Sequence, residues 1–466
     1  MSTENRRTLL LLAVLALLAT LVFVAHALEP TLAGDVSAIG ADGEDLGRAL
    51  NGVTLSLGFL LLGSWLLGEV VGRFGLPRVV GYLLFGVLAG PGLLPTVLGV
   101  PAPVTTNELT LLRRLDALAI SLIALVAGGE IKVSFLRGML GRIATVLGTQ
   151  VGTILVGGSI VAFLVILPWV PSLRELPTAA AIHLAVVIGL LCVANSPAIV
   201  IAIIDETGAR GPMCDTALAA TVCKDLVLVI LLTILLGFVP IAFGSPDGAD
   251  GGGGLVGEAA WHLVGSIGFG VVVGIAMHYA AARIEKRIDV FIVLCGFAIA
   301  FAADALHFAP LLVALVAGFT QANIWPERSE RMFHSIETLL LPVYCVFFAT
   351  AGAGIRIDAV VALWPVALML VGTRLVLVWA GTTAGAKFAK LDPKIRPWLW
   401  TAFTPQAGVA IALANEVAKA IGDRPFIPDL ASLLLAAIAM NEVLGPLLMK
   451  WGLQRAGETP TSSSGR

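Results

Sequence analysis

The sequence predicts an all-α protein embedded in a membrane, on three observations. Of its 466 residues, 58% are hydrophobic and 13% charged, with a mean hydropathy of +0.97, which is more apolar surface than a soluble fold can cover. The apolar residues fall in runs long enough to cross about 30 Å of hydrocarbon. Two of these runs are interrupted at mid-depth by polar residues and proline, at Asn195-Ser196-Pro197 and at Thr404-Pro405-Gln406-Ala407-Gly408.

Fourteen runs qualify as spans, near 8–28, 52–72, 78–98, 114–131, 143–169, 179–205, 214–240, 256–281, 287–305, 309–324, 334–355, 358–386, 397–420 and 428–452. The first follows Arg6 and Arg7 and ends in Ala25-His26-Ala27, so a cleaved signal peptide stands as the alternative, giving thirteen or fourteen helices. Its apolar run of about 17 residues exceeds the usual signal core of about 7–15 and favours a permanent helix. With the N-terminus cytoplasmic, most of the 29 Lys and Arg fall in cytoplasmic loops and tails, as the positive-inside rule requires. Both termini are then cytoplasmic, in the inner (plasma) membrane. The outer loops 29–51 and 243–255 read as flexible linkers, and the short tail predicts no attached soluble domain.

The two interruptions occupy matching positions. Each is in the fifth span of a six-span block, spans 2–7 and spans 9–14, with span 8 as the joint. Block one starts outside and block two inside, which is an inverted-topology repeat. The chain therefore divides into an N-terminal helix or signal peptide with an outer loop (1–51), a first repeat (52–240), a linker helix (241–286), a second repeat (287–452) and a short tail (453–466). Such repeats are common in secondary transporters, whose substrate site lies where the broken helices meet. The structural alternative is that Pro197 and Pro405 only kink two helices. Half-helix ends supply amides and carbonyls for ions, which makes Asn195, Ser196, Thr404 and Gln406 candidate ligands.

A charge inside the membrane marks a functional site and calls for a partner. Asp225, in Thr221-Val222-Cys223-Lys224-Asp225, follows the first broken helix in sequence and is the candidate carrier of cation and proton. A buried carboxylate holds either a proton or a metal cation and hardly both, so competition at one Asp is a sufficient basis for exchange. The alternative is an ion pair with Lys224 or Arg374 that locks two helices, although buried pairs stabilise poorly. Arg374 in span 12 carries a permanent charge. Lys224 points about 100° away from Asp225 around the helix and is either a second titrating group or a fixed internal cation. Glu130 reads as a solvated boundary residue and Glu416 with Lys419 as a helix-face pair. His183, His307 and His334 read as interfacial.

The net charge of −2 and the absence of a basic block argue against a nucleic-acid partner. The five cysteines form no CxxC and read as buried small hydrophobes. No cofactor or resident metal is expected, the transported monovalent cation at Asp225 being cargo. No intramembrane protease signature is present, so no enzymatic activity is expected.

Gly75-Leu76-Pro77-Arg78-Val79-Val80-Gly81-Tyr82 with Gly86, Gly90 and Pro91 resembles the early helix of the monovalent cation:proton antiporter superfamily, the potassium-efflux and sodium-proton exchanger type. Ala194-Asn195-Ser196-Pro197, Phe347-Phe348-Ala349-Thr350-Ala351-Gly352, Gly445-Pro446 and Ala456-Gly457-Glu458 extend the resemblance over residues 52 to 458. It implies a homodimer, and a core of spans 5–7 and 12–14 that moves as an elevator against a dimerisation domain of spans 2–4 and 9–11. It also implies Asp225 as carrier and Arg374 as its basic partner. Lys224 departs from the family pattern, which has an acid or amide there. Exchange of Na⁺ or K⁺ for protons is the leading expectation. Proton-linked transport of an organic or anionic solute, with Lys224 supplying positive charge, is the alternative, and a channel or receptor is a third class.

Overall fold

The computed structural model describes residues 41–130, 133–236, 238–243, 252–281, 288–306, 308, 310–326, 332–333, 337–355, 357–406, 408–422 and 424–460. The first span 8–28, His307, His334 and the side chains of Glu130, Asp225, Glu416 and Lys419 lie outside the described residues. Every regular element among the described residues is helical. In chain order these are α1 (Ala41–Arg73), α2 (Arg78–Ala89), α3 (Leu93–Leu98), α4 (Thr106–Leu112), α5 (Asp116–Glu130) and α6 (Val133–Val161), which runs on through a π turn. They continue with α7 (Thr178–Val193), α8 (Pro197–Thr207), α9 (Pro212–Leu236), α10 (Val239–Phe243), α11 (Gly252–Ala281) and α12 (Ile288–Ala305). The last are α13 (Pro310–Ile324), α14 (Glu337–Ala353), α15 (Ile357–Phe388), α16 (Gly408–Ile421) and α17 (Ile427–Ala456). Among the described residues, five helices are long and apolar enough to cross a membrane, namely Gly52–Arg73, Leu140–Trp169, Thr178–Thr207, Val360–Phe388 and Ile427–Ala456.

Three expectations change. Within the outer loop 29–51, residues 41–51 are helical. Within 243–255, the glycine run is taken into α11 from Gly252. Span 78–98 is two helices, because Gly90-Pro91-Gly92 cannot continue α2.

The chain forms two compact units. One combines residues up to Ala119 with Thr338–Asp358, and the other combines Ile120–Glu337 with Ala359–Arg466. In the first, α1 packs along α2, and Phe59, Leu60, Phe85, Leu109, Leu112 and Ala349 form a buried cluster. In the second, α6 lies along α7 and α11 along α13, with α17 against the segment Leu399–Phe403.

Two helix crossings are close enough to require glycine. In the first unit α2 crosses α14, where a Cβ on Gly86 would overlap the Ala349 carbonyl and one on Gly352 the Leu83 carbonyl. In the second unit α5 crosses α13, where a Cβ on Gly128 would overlap the Leu315 carbonyl and one on Gly318 the Leu125 carbonyl. Gly86 and Gly318 both stand eight residues into their helices, after Arg78 and Pro310. The sequence carries a matching signal, Ala127-Gly128-Gly129-Glu130-Ile131-Lys132 against Ala351-Gly352-Ala353-Gly354-Ile355-Arg356. With little hydrophobic drive between helices in lipid, small residues that let backbones touch provide the packing.

The end of the described chain is tied to the start of α9. The Met213 and Cys214 amides donate to the two Glu458 carboxylate oxygens at 2.6 and 2.9 Å, and the Arg210 amide donates to the Glu458 carbonyl at 3.0 Å. A carboxylate there satisfies two of the four orphan amides of the helix and complements its dipole. Removing this cap by Glu458→Ala is expected to cost about 1–2 kcal/mol, read as a lower thermal unfolding midpoint of the purified protein, with Glu458→Gln losing less.

Candidate functional site

Helix α7 ends at Val193, and three residues, Ala194, Asn195 and Ser196, separate it from α8. Pro197 starts α8 at a position where its missing amide is not needed, and the Ser196 hydroxyl accepts from the Ile199 amide at 3.3 Å. The second interruption lies between the 3₁₀ turn Leu399–Phe403 and α16. The Thr404 hydroxyl donates to the Thr401 carbonyl at 2.7 Å and to the Gly445 carbonyl at 3.3 Å. The two interruptions meet directly, since the Ser196 amide donates to the Pro405 carbonyl at 2.9 Å. Gly445 on α17 admits this close approach, because a Cβ there would overlap Pro405.

Breaking a helix leaves its last carbonyls without amide partners, at a cost of several kcal/mol each in hydrocarbon. Side chains supply the partners here. Arg374, 1% exposed on α15, donates to the Cys192 and Ala194 carbonyls at 3.0 and 2.8 Å. It also donates to the Thr404 and Phe403 carbonyls at 2.7 and 3.1 Å. One guanidinium thus joins the carbonyl ends of both half-helices, where positive charge is favoured by the dipoles. Gln406 donates to the Leu191 carbonyl at 2.9 Å and accepts from the Asn441 amide at 2.8 Å. Cys192, Arg374, Gln406 and Asn441 share a cavity of about 20 Å³, room for about one water.

Asn195 is fully buried. Its amide nitrogen donates to the Thr221 hydroxyl on α9 at 3.0 Å, and its side-chain oxygen is buried with no hydrogen-bond partner among the described residues. Position 225 is one helical turn beyond Thr221 on the same helix. Lys224, 1% exposed, donates to the Gln150 side-chain oxygen at 3.1 Å and stands 4.5 Å over the Phe403 ring. Gln150 in turn donates to the Thr382 hydroxyl at 2.6 Å, linking α6 to α15. Ser196, Asn195, Thr404, Gln406, Arg374 and Lys224 are therefore one buried layer of the second unit.

Several members of this layer escape a reading by sequence. Gln150, Thr382, Phe403 and Asn441 carry no charge, and nothing in their spacing sets them apart. Glu442, 0% exposed on α17, is an acid in an apolar span and carries the same signal that singles out Asp225. His183, read as interfacial, is buried with its ring edge-on to Phe243 at 5.6 Å.

Two structures of the sodium proton antiporter MjNhaP1 from Methanocaldococcus jannaschii have a similar fold. One gives a TM-score of 0.64 at 16% identity over 88% of this chain and 99% of that one, the other 0.69 at 15% over 88% and 98%. The Na⁺/H⁺-K⁺ antiporter GerN of Bacillus cereus is 23% identical over 401 residues, 85% of this chain and 95% of that protein. Residues 57–453 match the transmembrane sodium/hydrogen exchanger family, and the chain belongs to that family.

Proposed function

We propose that this chain exchanges a monovalent cation, Na⁺ or K⁺, for protons across the membrane by alternating access. The observation that carries the reading is the meeting of two interrupted helices, Ser196 amide to Pro405 carbonyl, beside the helix that bears Lys224 and Asp225. Asp225 is the carrier. Its carboxylate holds the cation when facing one side and a proton when facing the other, and each excludes the other because a single site holds one positive charge.

The groups around it have separate tasks. The Asn195 side-chain oxygen and the Thr221 hydroxyl supply neutral oxygens suited to a hard monovalent cation. Arg374 holds the two half-helices in register through four carbonyls, and it keeps its charge throughout the cycle. Lys224, drawn to Gln150 and the Phe403 ring, is directed toward α6 rather than standing as an uncompensated ammonium in the cation's path. This arrangement favours cation exchange over an anionic or organic solute.

The similar glycine crossings of α2 with α14 and of α5 with α13 support two inverted repeats over 52–240 and 287–452, since the repeat order matches α2 with α13 and α5 with α14. We place the termini in the cytoplasm of a cell with the chain in its inner membrane, read the assembly as a homodimer, and read spans 5–7 and 12–14 as the moving core.

In proteoliposomes, Asp225→Asn is expected to abolish cation-driven proton flux while the protein still inserts and folds, because the amide keeps the size but exchanges no proton. Wild-type flux in that variant would remove Asp225 from the mechanism. Arg374→Ala is expected to lose folding as well as flux, since it strips the partners from four buried carbonyls, each costing about 1–3 kcal/mol. Measured by thermal unfolding, Arg374→Lys is expected to fall between the two proteins, because an ammonium reaches fewer carbonyls than the guanidinium fork.

A further inference from the structure

Two of the membrane-length helices of the second unit, Val360–Phe388 and Ile427–Ala456, carry a base in the last turn, Lys387 and Arg455. The chain leaving the first of them, residues 387–398, adds Lys390, Lys394 and Arg396 and contains one acid, Asp392. The two helix ends meet. Trp398 packs edge-on against Trp451 with ring centroids 4.9 Å apart, and the Arg455 guanidinium lies over both rings, 5.9 and 5.8 Å from their centroids. Five bases thus collect at one corner of the unit, where two spanning helices end.

The connection after α15 is built in one shape. Leu391 and Ile395 are buried and pin it to the unit. The Leu391 amide donates to the Ala386 carbonyl at 3.0 Å, and the Arg396 guanidinium folds back to donate to the Leu391 carbonyl at 2.5 Å. Lys390 closes α15 at φ 51°, the one non-glycine residue in the left-handed region among the described residues. Glycine is favoured at such a position, so a lysine there accepts backbone strain while presenting its charge. The Asp392 carboxylate is turned to the connection itself, accepting from the Lys394 amide at 2.8 Å. The acid that follows Arg455, Glu458, caps α9. Among the described residues none of the five bases forms an ion pair. Beside them Phe388 and Trp451 stand 69% and 39% exposed.

Unpaired bases at the ends of spanning helices, interleaved with exposed aromatic rings, have the chemistry of a membrane boundary, where cations meet lipid phosphates and rings lie at headgroup depth. We propose that this corner is a docking surface for the headgroups of anionic phospholipids. The bases of the connection and Arg455 supply the attraction, and Phe388 and Trp451 lie against the start of the acyl chains. A zwitterionic headgroup brings its own cation and does not complement five unpaired bases. The surface is independent of the exchange reading. It holds at one depth in the membrane the ends of α15 and α17, the helices that carry Arg374 and Asn441 to the second interruption.

The test titrates the purified full chain in detergent with phosphatidylglycerol, phosphatidylcholine or inorganic phosphate and reads the thermal unfolding midpoint, which uses no transport. Each base beside an anionic surface contributes about fivefold in affinity. Phosphatidylglycerol is expected to raise the midpoint. The triple variant Lys390→Gln/Lys394→Gln/Arg455→Gln is expected to need on the order of a hundredfold more of that lipid for the same rise. Arg142→Gln/Arg174→Gln, which removes two exposed bases elsewhere in the unit, is expected to respond as the wild type does. The proposal is overturned if phosphatidylglycerol gives no rise, or if phosphatidylcholine or free phosphate gives an equal one. A triple variant that responds like the wild type overturns it too, as does a control pair that loses the response as fully as the triple variant. Should the triple variant fail to fold, Lys390→Gln/Lys394→Gln decides: a need for on the order of twentyfold more lipid supports the surface, and an unchanged need overturns it.

Discussion

The structure of the second unit depends on the four hydrogen bonds from Arg374 to the carbonyls of Cys192, Ala194, Phe403 and Thr404. An interrupted helix in a membrane is a contradiction unless its freed backbone groups find other partners, because hydrocarbon offers none. Guanidinium is suited to the task, with five donors in a rigid plane and a charge that does not titrate. The same two interruptions are bound to each other through Ser196 and Pro405, and to α7 and α17 through Gln406 and Asn441. The backbone there is irregular but held by these hydrogen bonds, which leave polar groups at the centre of an apolar body.

The charges follow from this arrangement. Lys224 enters the layer from α9 and is received by Gln150 and by the Phe403 face, while Gln150 is oriented by Thr382.

Backbone contact between glycines organises the remaining helices. The crossings at Gly86 with Gly352 and at Gly128 with Gly318 bring carbonyls against Cα atoms, an approach that any larger residue would prevent. At the start of α9, Glu458 provides the opposite kind of fixation, a carboxylate across two amides. Helix α9 is thereby anchored at its first turn and exposed to the exchange layer in its middle.

The helices and both interruptions were legible in the sequence, because hydropathy over about 20 residues and proline among polar residues are local properties of the chain. Lys224 and Arg374 stand out as well, since a charge in an apolar run is conspicuous on its own. The helix over 41–51 and the division of 78–98 at Gly90-Pro91-Gly92 depart from the hydropathy pattern, because an average over a whole span does not register a stop of three residues. Gln150, Thr382, Phe403 and Asn441 were not legible at all: neutral side chains acquire a role only from what faces them. Likewise, no feature of Arg374 in its own helix shows that its partners are carbonyls 180 residues away in sequence, such as Ala194. The sequence by itself determined where the chain crosses and where it breaks, because both depend on neighbours along the chain. Only the tertiary structure decided which groups meet at the breaks, because hydrogen bonds in a dry interior are settled by distance in space.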